Sequence, residues 1–81
     1  MVNVTVPSLG ESIVEAAIER WTRKPGEYVA RGETIVTVES DKATLEVPAP
    51  TGGILRRILK QDGEPVRIGE TIGEIEEAER P

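Results

Sequence analysis

Three features of this 81-residue chain predict an all-β fold, a flattened barrel or sandwich of two antiparallel sheets. Short segments rich in β-branched residues, or with apolar residues at alternate positions, recur along its length. Turn signals built on Gly and Pro separate these segments. The chain also repeats itself at an offset of 37, so each half is expected to give strands to both sheets with quasi-twofold symmetry.

The elements follow in order. Met1 to Val6 alternates, with Val2, Val4 and Val6 on one face, and reads as a half-buried strand that Pro7 ends. Ser8 to Ser12 is a polar loop. Ala16 to Thr22 is extended, with Ile18 and Trp21 as its main apolar groups. Ile13, Ala17, Ile18 and Trp21 have helical spacing, but the repeat argues for a strand. Arg23 to Glu27, with Pro25-Gly26, is a turn, Tyr28-Val29 a short strand, and Arg31-Gly32-Glu33 a second turn. Thr34 to Val38 is a strand rich in β-branched residues, Ser40 to Ala43 a turn, and Thr44 to Val47 its hairpin partner. Pro48, Pro50, Gly52 and Gly53 exclude a helix or a central strand in the next stretch. Ile54 to Lys60, Pro65 to Arg67 and Thr71 to Glu76 complete the strands. Residues 1–76 form one domain, and 77–81 read as the start of a linker.

The repeat pairs Gly26-Glu27 with Gly63-Glu64, Gly32-Glu33 with Gly69-Glu70, Ile18 with Leu55 and Trp21 with Ile58. Matching glycines predict the same turn geometry used twice. Val6-Pro7 pairs with Val47-Pro48 at an offset of 41, which gives the first half four extra residues in its loop. The symmetry fails where Ser40 to Ala43 joins the halves, so this hairpin is expected at the pole opposite the chain ends.

Composition narrows the function. The chain has no Cys and no His, which removes disulfides, thiolate metal sites and the commonest general base. No nucleophile–base pair or metal cluster is recognisable, so neither catalytic nor metal-binding residues are expected. Phe is absent and Trp21 and Tyr28 are the only aromatics, so the core must be aliphatic, with Trp21 part of it. The formal charge of −5 and the lack of a stacking platform argue against nucleic acid. No apolar run reaches membrane-spanning length, and no signal peptide is recognisable, so no membrane is expected.

Lys42, one of three lysines, stands in the hairpin turn. No glycine is there to take a positive φ, which favours a type I turn over a primed one. A catalytic amine needs a depressed pKa, and Glu39, Asp41 and Glu46 favour the charged form instead. Local physics leaves a solvated lysine as the default and a covalent attachment point as the alternative.

The whole pattern resembles the lipoyl domains of the 2-oxo acid dehydrogenase acyltransferases. The resemblance is carried by Pro7 to Ser12, Trp21 with Lys24-Pro25-Gly26, Glu39-Ser40-Asp41-Lys42-Ala43, Glu46 to Pro50 and Gly69-Glu70-Thr71-Ile72, nearly the whole chain. It implies that lipoic acid is joined to Lys42 by an amide and that the fragment is a carrier rather than an enzyme. The implied partners are a thiamine-diphosphate 2-oxo acid dehydrogenase, the acyltransferase core of the same chain, dihydrolipoamide dehydrogenase and a lipoate-attaching enzyme. Asp41 and Ala43 match the residues flanking the family lysine. Glu39 and Gly53 match an acidic residue three before it and a glycine eleven after, and Leu9, Gly10, Glu11 and Ser12 match a loop used in partner recognition. Local readings of Glu39 as a solvated strand end and Gly53 as a turn glycine stay open.

Gly10-Glu11-Ser12 is closer to the succinyltransferases of 2-oxoglutarate complexes than to the Gly-Glu-Gly of pyruvate-type acetyltransferases. A biotin carboxyl carrier is the nearest other family, but its lysine is flanked by methionines. A glycine-cleavage carrier is normally longer. A small β interaction module without a cofactor is the remaining alternative. The implied compartment is the bacterial cytoplasm, or the mitochondrial matrix if the source is eukaryotic.

Overall fold

The computed structural model describes residues 1–7, 15–40 and 43–79, without the Glu15 side chain. Eight strands form in chain order: β1 Val2–Thr5, β2 Glu15–Trp21, β3 Tyr28–Val29, β4 Thr34–Glu39, β5 Thr44–Pro48, β6 Gly53–Ile58, β7 Pro65–Arg67 and β8 Thr71–Glu77. They build two antiparallel four-stranded sheets, ordered β1-β8-β6-β3 and β5-β4-β2-β7. The described residues contain no helix, and Ala16 to Trp21 is extended as the repeat requires.

Each sheet is the copy of the other. Replacing β1, β8, β6 and β3 by β5, β4, β2 and β7 turns one strand order into the other. Registers repeat as well: Ala17 pairs with Glu39 and Trp21 with Val36, while Ile54 pairs with Glu76 and Ile58 with Gly73. A bulge falls between Ile18 and Arg20 in one sheet and between Leu55 and Arg57 in the other.

The copy corrects one sequence alignment. Val6 donates to the Glu70 carbonyl and accepts from Gly69, as Ala49 donates to Glu33 and accepts from Gly32. Val6 is therefore the mate of Ala49, and Pro7 of Pro50, at an offset of 43 rather than 41. The shared Val-Pro dipeptide is a coincidence of composition. The first half is six residues longer (43 against 37), not four.

Four turns of one design connect the strands. In Lys24–Glu27, Ala30–Glu33, Gln61–Glu64 and Arg67–Glu70 the fourth amide donates to the first carbonyl at 3.0 to 3.1 Å. The third residue is always Gly, with φ between 84° and 95°, and no described non-glycine residue has positive φ. That is the type II pattern, which a Cβ at the third position would strain. The fourth residue is always Glu, and its carboxylate accepts the amide of the first, at 2.6 Å in Lys24–Glu27 and 2.9 Å in Arg67–Glu70. Each turn thus satisfies three of its own backbone groups, the first amide, the first carbonyl and the fourth amide.

The core is aliphatic: Ile18, Ile35, Leu55, Ile72 and Ile75 are its largest fully buried side chains. Trp21 is half-buried and packs against this cluster rather than inside it, and its indole N–H donates to the Lys60 carbonyl at 2.8 Å. β8 runs one residue past the expected boundary at Glu76. Thr51 Oγ donates to the Glu77 carboxylate and Ala78 N–H to the Gly52 carbonyl, so the last turn of chain before residue 79 is tied to the β5–β6 connection.

Candidate functional site

The β4–β5 hairpin is built from complementary edges. Glu39 and Thr44 form its last strand pair. Beyond them the Ser40 amide donates to the Ala43 carbonyl at 2.8 Å, and the Ser40 hydroxyl donates to the same oxygen at 3.2 Å. Only Asp41 and Lys42 separate these two residues, and both, with the type I turn expected there, lie outside the described residues. Glu39, Ala43 and Thr44 are exposed and Ser40 is half-exposed. The described residues on either side of Asp41-Lys42 are therefore open to solvent.

The pairings fix which pole this hairpin occupies. Glu77 pairs with Gly53, and Gly53 with Val29, which places β3 beside the carboxyl-terminal strand end. From Val29 a single turn leads to Thr34, the far end of β4. Thr34 to Glu39 then runs away from that pole for about 17 Å at ordinary strand rise. The closing pair Ser40–Ala43 stands at one end of a body 40 × 20 × 17 Å, and Val2, Ile75 and Glu77 stand toward the other.

Of the residues expected to act in recognition, Glu39 and Ala43 flank the closing pair. Leu9, Gly10, Glu11 and Ser12 lie outside the described residues. Gly53 is not brought to the hairpin. It lies in the other sheet at the opposite pole, and it is a strand residue rather than a turn glycine. A Cβ there would overlap the Glu76 carbonyl oxygen and stand 2.9 Å from its carbon. Its place eleven residues after the lysine spans β5 and a crossover to the second sheet.

Ion pairs recur at matching places in the two halves and between neighbouring strands. Arg23–Glu33 and Lys60–Glu70 are ion pairs at equivalent positions of the two halves, the second at 3.5 Å. Arg56–Glu76 at 2.6 Å and Arg57–Glu74 at 3.8 Å tie β6 to β8 on the exposed face. Such exposed pairs contribute at most about 1 kcal/mol each. The Arg67 amide holds the Glu70 carboxyl below the ordinary glutamate range. The Lys60 ammonium and the Arg67 guanidinium help, and partial desolvation opposes them. The turn glutamates were missed as backbone acceptors in the sequence, although the Gly-Glu pair occurring in all four turns was the available signal.

Comparisons with known proteins agree with this geometry. The biotin/lipoyl family model, described as "Biotin-requiring enzyme", matches residues 2–75. The chain is 46% identical over 78 residues to the dihydrolipoyllysine-residue succinyltransferase component of the 2-oxoglutarate dehydrogenase complex of Rickettsia bellii. It is 41% identical over 76 residues to the corresponding Escherichia coli component. These alignments take 96% and 94% of this chain but only 20% and 19% of the relatives, so the chain spans about a fifth of their length. The lipoyl domain of the Azotobacter vinelandii 2-oxoglutarate dehydrogenase complex superposes with a TM-score of 0.79 at 37% identity, covering 98% of this chain and all of that one. The E. coli succinyltransferase lipoyl domain gives 0.79 at 40% identity, covering 96% and 98%. Kluyveromyces lactis urea carboxylase shares the fold over 6% of its length, with a TM-score of 0.76 at 19% identity over 91% of this chain. The chain belongs to the biotinyl/lipoyl domain family, and within it resembles the lipoyl domains of 2-oxo acid dehydrogenase acyltransferases, those of 2-oxoglutarate complexes in particular.

Proposed function

We propose that this domain is a lipoyl carrier, with lipoic acid joined to Lys42. The observation that supports this best is the hairpin whose closing pair, Ser40 and Ala43, has exposed flanks and stands opposite the carboxyl-terminal strand end. A tether leaving one pole and an arm leaving the other keep the carrier's reach clear of its own attachment. The Lys42 Nζ would hold the lipoyl group through an amide.

Once bound, the dithiolane supplies the acyl-carrying and electron-carrying chemistry. The chain's own part is to carry the lysine on the β4–β5 hairpin of a two-sheet shell. The domain itself is not catalytic in this reading. Its partners are a thiamine-diphosphate 2-oxo acid dehydrogenase, the acyltransferase core of a longer parent chain, a flavin-dependent dihydrolipoamide dehydrogenase and a lipoate-attaching enzyme. Tethering makes each visit effectively intramolecular. Asp41, Ala43, Glu39 and the Leu9–Ser12 segment are assigned to partner recognition. For Gly53 the close approach of β8 is a sufficient reason for glycine. The bacterial relatives are consistent with a cytoplasmic setting. No helix among the described residues is long and apolar enough to cross a membrane.

The acyl group is assigned as succinyl, on the Gly10-Glu11-Ser12 sequence and the names of the similar proteins. Offering the lipoylated domain to 2-oxoglutarate dehydrogenase and pyruvate dehydrogenase in parallel tests it. Acylation by the first supports the assignment. Acylation by the second alone replaces it with the acetyltransferase reading.

A further inference from the structure

We propose that Ser40 is a positioning residue for modification of Lys42, acting through the Ala43 carbonyl; the inference rests on the carrier reading above. Two donors of one residue converge on that oxygen, the amide at 2.8 Å and the hydroxyl at 3.2 Å. A carbonyl oxygen can accept two hydrogen bonds, and Ser40 supplies two donors to this one. The Ser40–Ala43 pair closes the β4–β5 ladder beyond Glu39 and Thr44, and the hydroxyl adds a second donor from the same residue to that closure.

The quasi-twofold mate supplies an internal control. Ser40 corresponds to Glu77, whose side chain instead accepts from Thr51 Oγ. The hydroxyl-to-carbonyl pin thus sits on the half that continues into the lysine turn. It fixes Ser40 and Ala43, the two residues that flank Asp41 and Lys42 in the chain. An attaching enzyme that reads the turn as a shaped object gains a pre-formed substrate, since ordering a loop on binding weakens association.

The test uses the whole domain as Ser40→Ala, Ser40→Thr and wild type. Amide hydrogen exchange at Ser40 is read by NMR, and attachment kinetics are followed by mass with a lipoate-attaching enzyme, lipoate and ATP. Ser40→Ala is expected to raise both the Ser40 exchange rate and the KM for the domain by roughly three- to tenfold, the range of one neutral hydrogen bond, with kcat little changed. Ser40→Thr is expected to restore both. Exchange and kinetics of Ser40→Ala equal to wild type, or a failure of Ser40→Thr to rescue, would overturn the proposal. Wild-type domain that takes no lipoate would overturn the carrier reading itself, and this inference with it.

Discussion

The indole of Trp21 fills the space that a side chain at Gly73 would need: Trp21 Cη2 lies 2.9 Å from where a Cβ would stand. The pair breaks the internal symmetry in a compensated way. In the mates the large residue is smaller (Ile58 for Trp21), and the glycine becomes a valine (Val36 for Gly73). Volume lost on one strand is volume gained from the other sheet. Gly73→Ala is expected to cost about 1–3 kcal/mol by overpacking. Urea denaturation measures it, and Trp21 fluorescence should shift to the red as the ring is pushed toward water. Gly73→Val combined with Trp21→Ile, which copies the mate arrangement, should destabilise less than the sum of the single changes, by about 0.5–3 kcal/mol of coupling. Additive effects would mean that the two positions are independent.

The duplicated turns make a second prediction. Gly32 and Gly69 have φ of 84° and 85° and open space where a Cβ would stand. The penalty for alanine is then purely conformational, about 1–2 kcal/mol, and it should be the same at both sites. Chemical denaturation of the two variants checks it. A large inequality would show that the halves do not use one turn geometry.

Gly53 makes a third. There the obstacle is backbone, the Glu76 carbonyl, which cannot swing aside as a side chain can. Gly53→Ala should therefore cost about 3 kcal/mol, the upper end of ordinary overpacking, by parting β6 from β8. Denaturation should show the loss, and NMR shifts should change around Glu76 and Ala78 rather than around Ser40. Shift changes confined to the hairpin would point to a direct role there instead.

A fourth concerns acid. The Glu70 carboxyl titrates below the ordinary glutamate value, chiefly because the Arg67 amide donates to it. The unfolded chain then binds this proton at a higher pH than the folded one. The stabilisation is complete above the ordinary glutamate pKa and is lost as pH falls through the depressed folded value. Denaturation midpoints of wild type and Glu70→Gln should differ at neutral pH and converge on acidification. A constant gap across that range would contradict the assignment.

Much of this fold could be read from the chain because it is written twice. Gly26 and Gly63, Gly32 and Gly69, and Ile18 with Leu55 identified turns and core positions that a single copy would leave ambiguous. The wrong alignment of Val6-Pro7 arose where the copies differ in length, since a dipeptide match carries no register. The bulges at Ile18–Arg20 and Leu55–Arg57 escaped because an inserted residue breaks the period of two on which strand reading depends. The turn carboxylates escaped because an exposed Glu looks solvated until its backbone partner is known. Gly53 was placed by sequence distance from Lys42, and sequence distance does not record a crossover between sheets.

The most direct measurement of the central claim is the intact mass and peptide map of the domain made in lipoate-supplied cells, with Lys42→Arg alongside. The carrier account predicts the increment of one lipoyl group, mapped to the peptide holding Lys42, and absent from Lys42→Arg while that variant stays folded. An unmodified wild-type chain, a biotin increment, or a lipoyl group on Lys24 or Lys60 would contradict it.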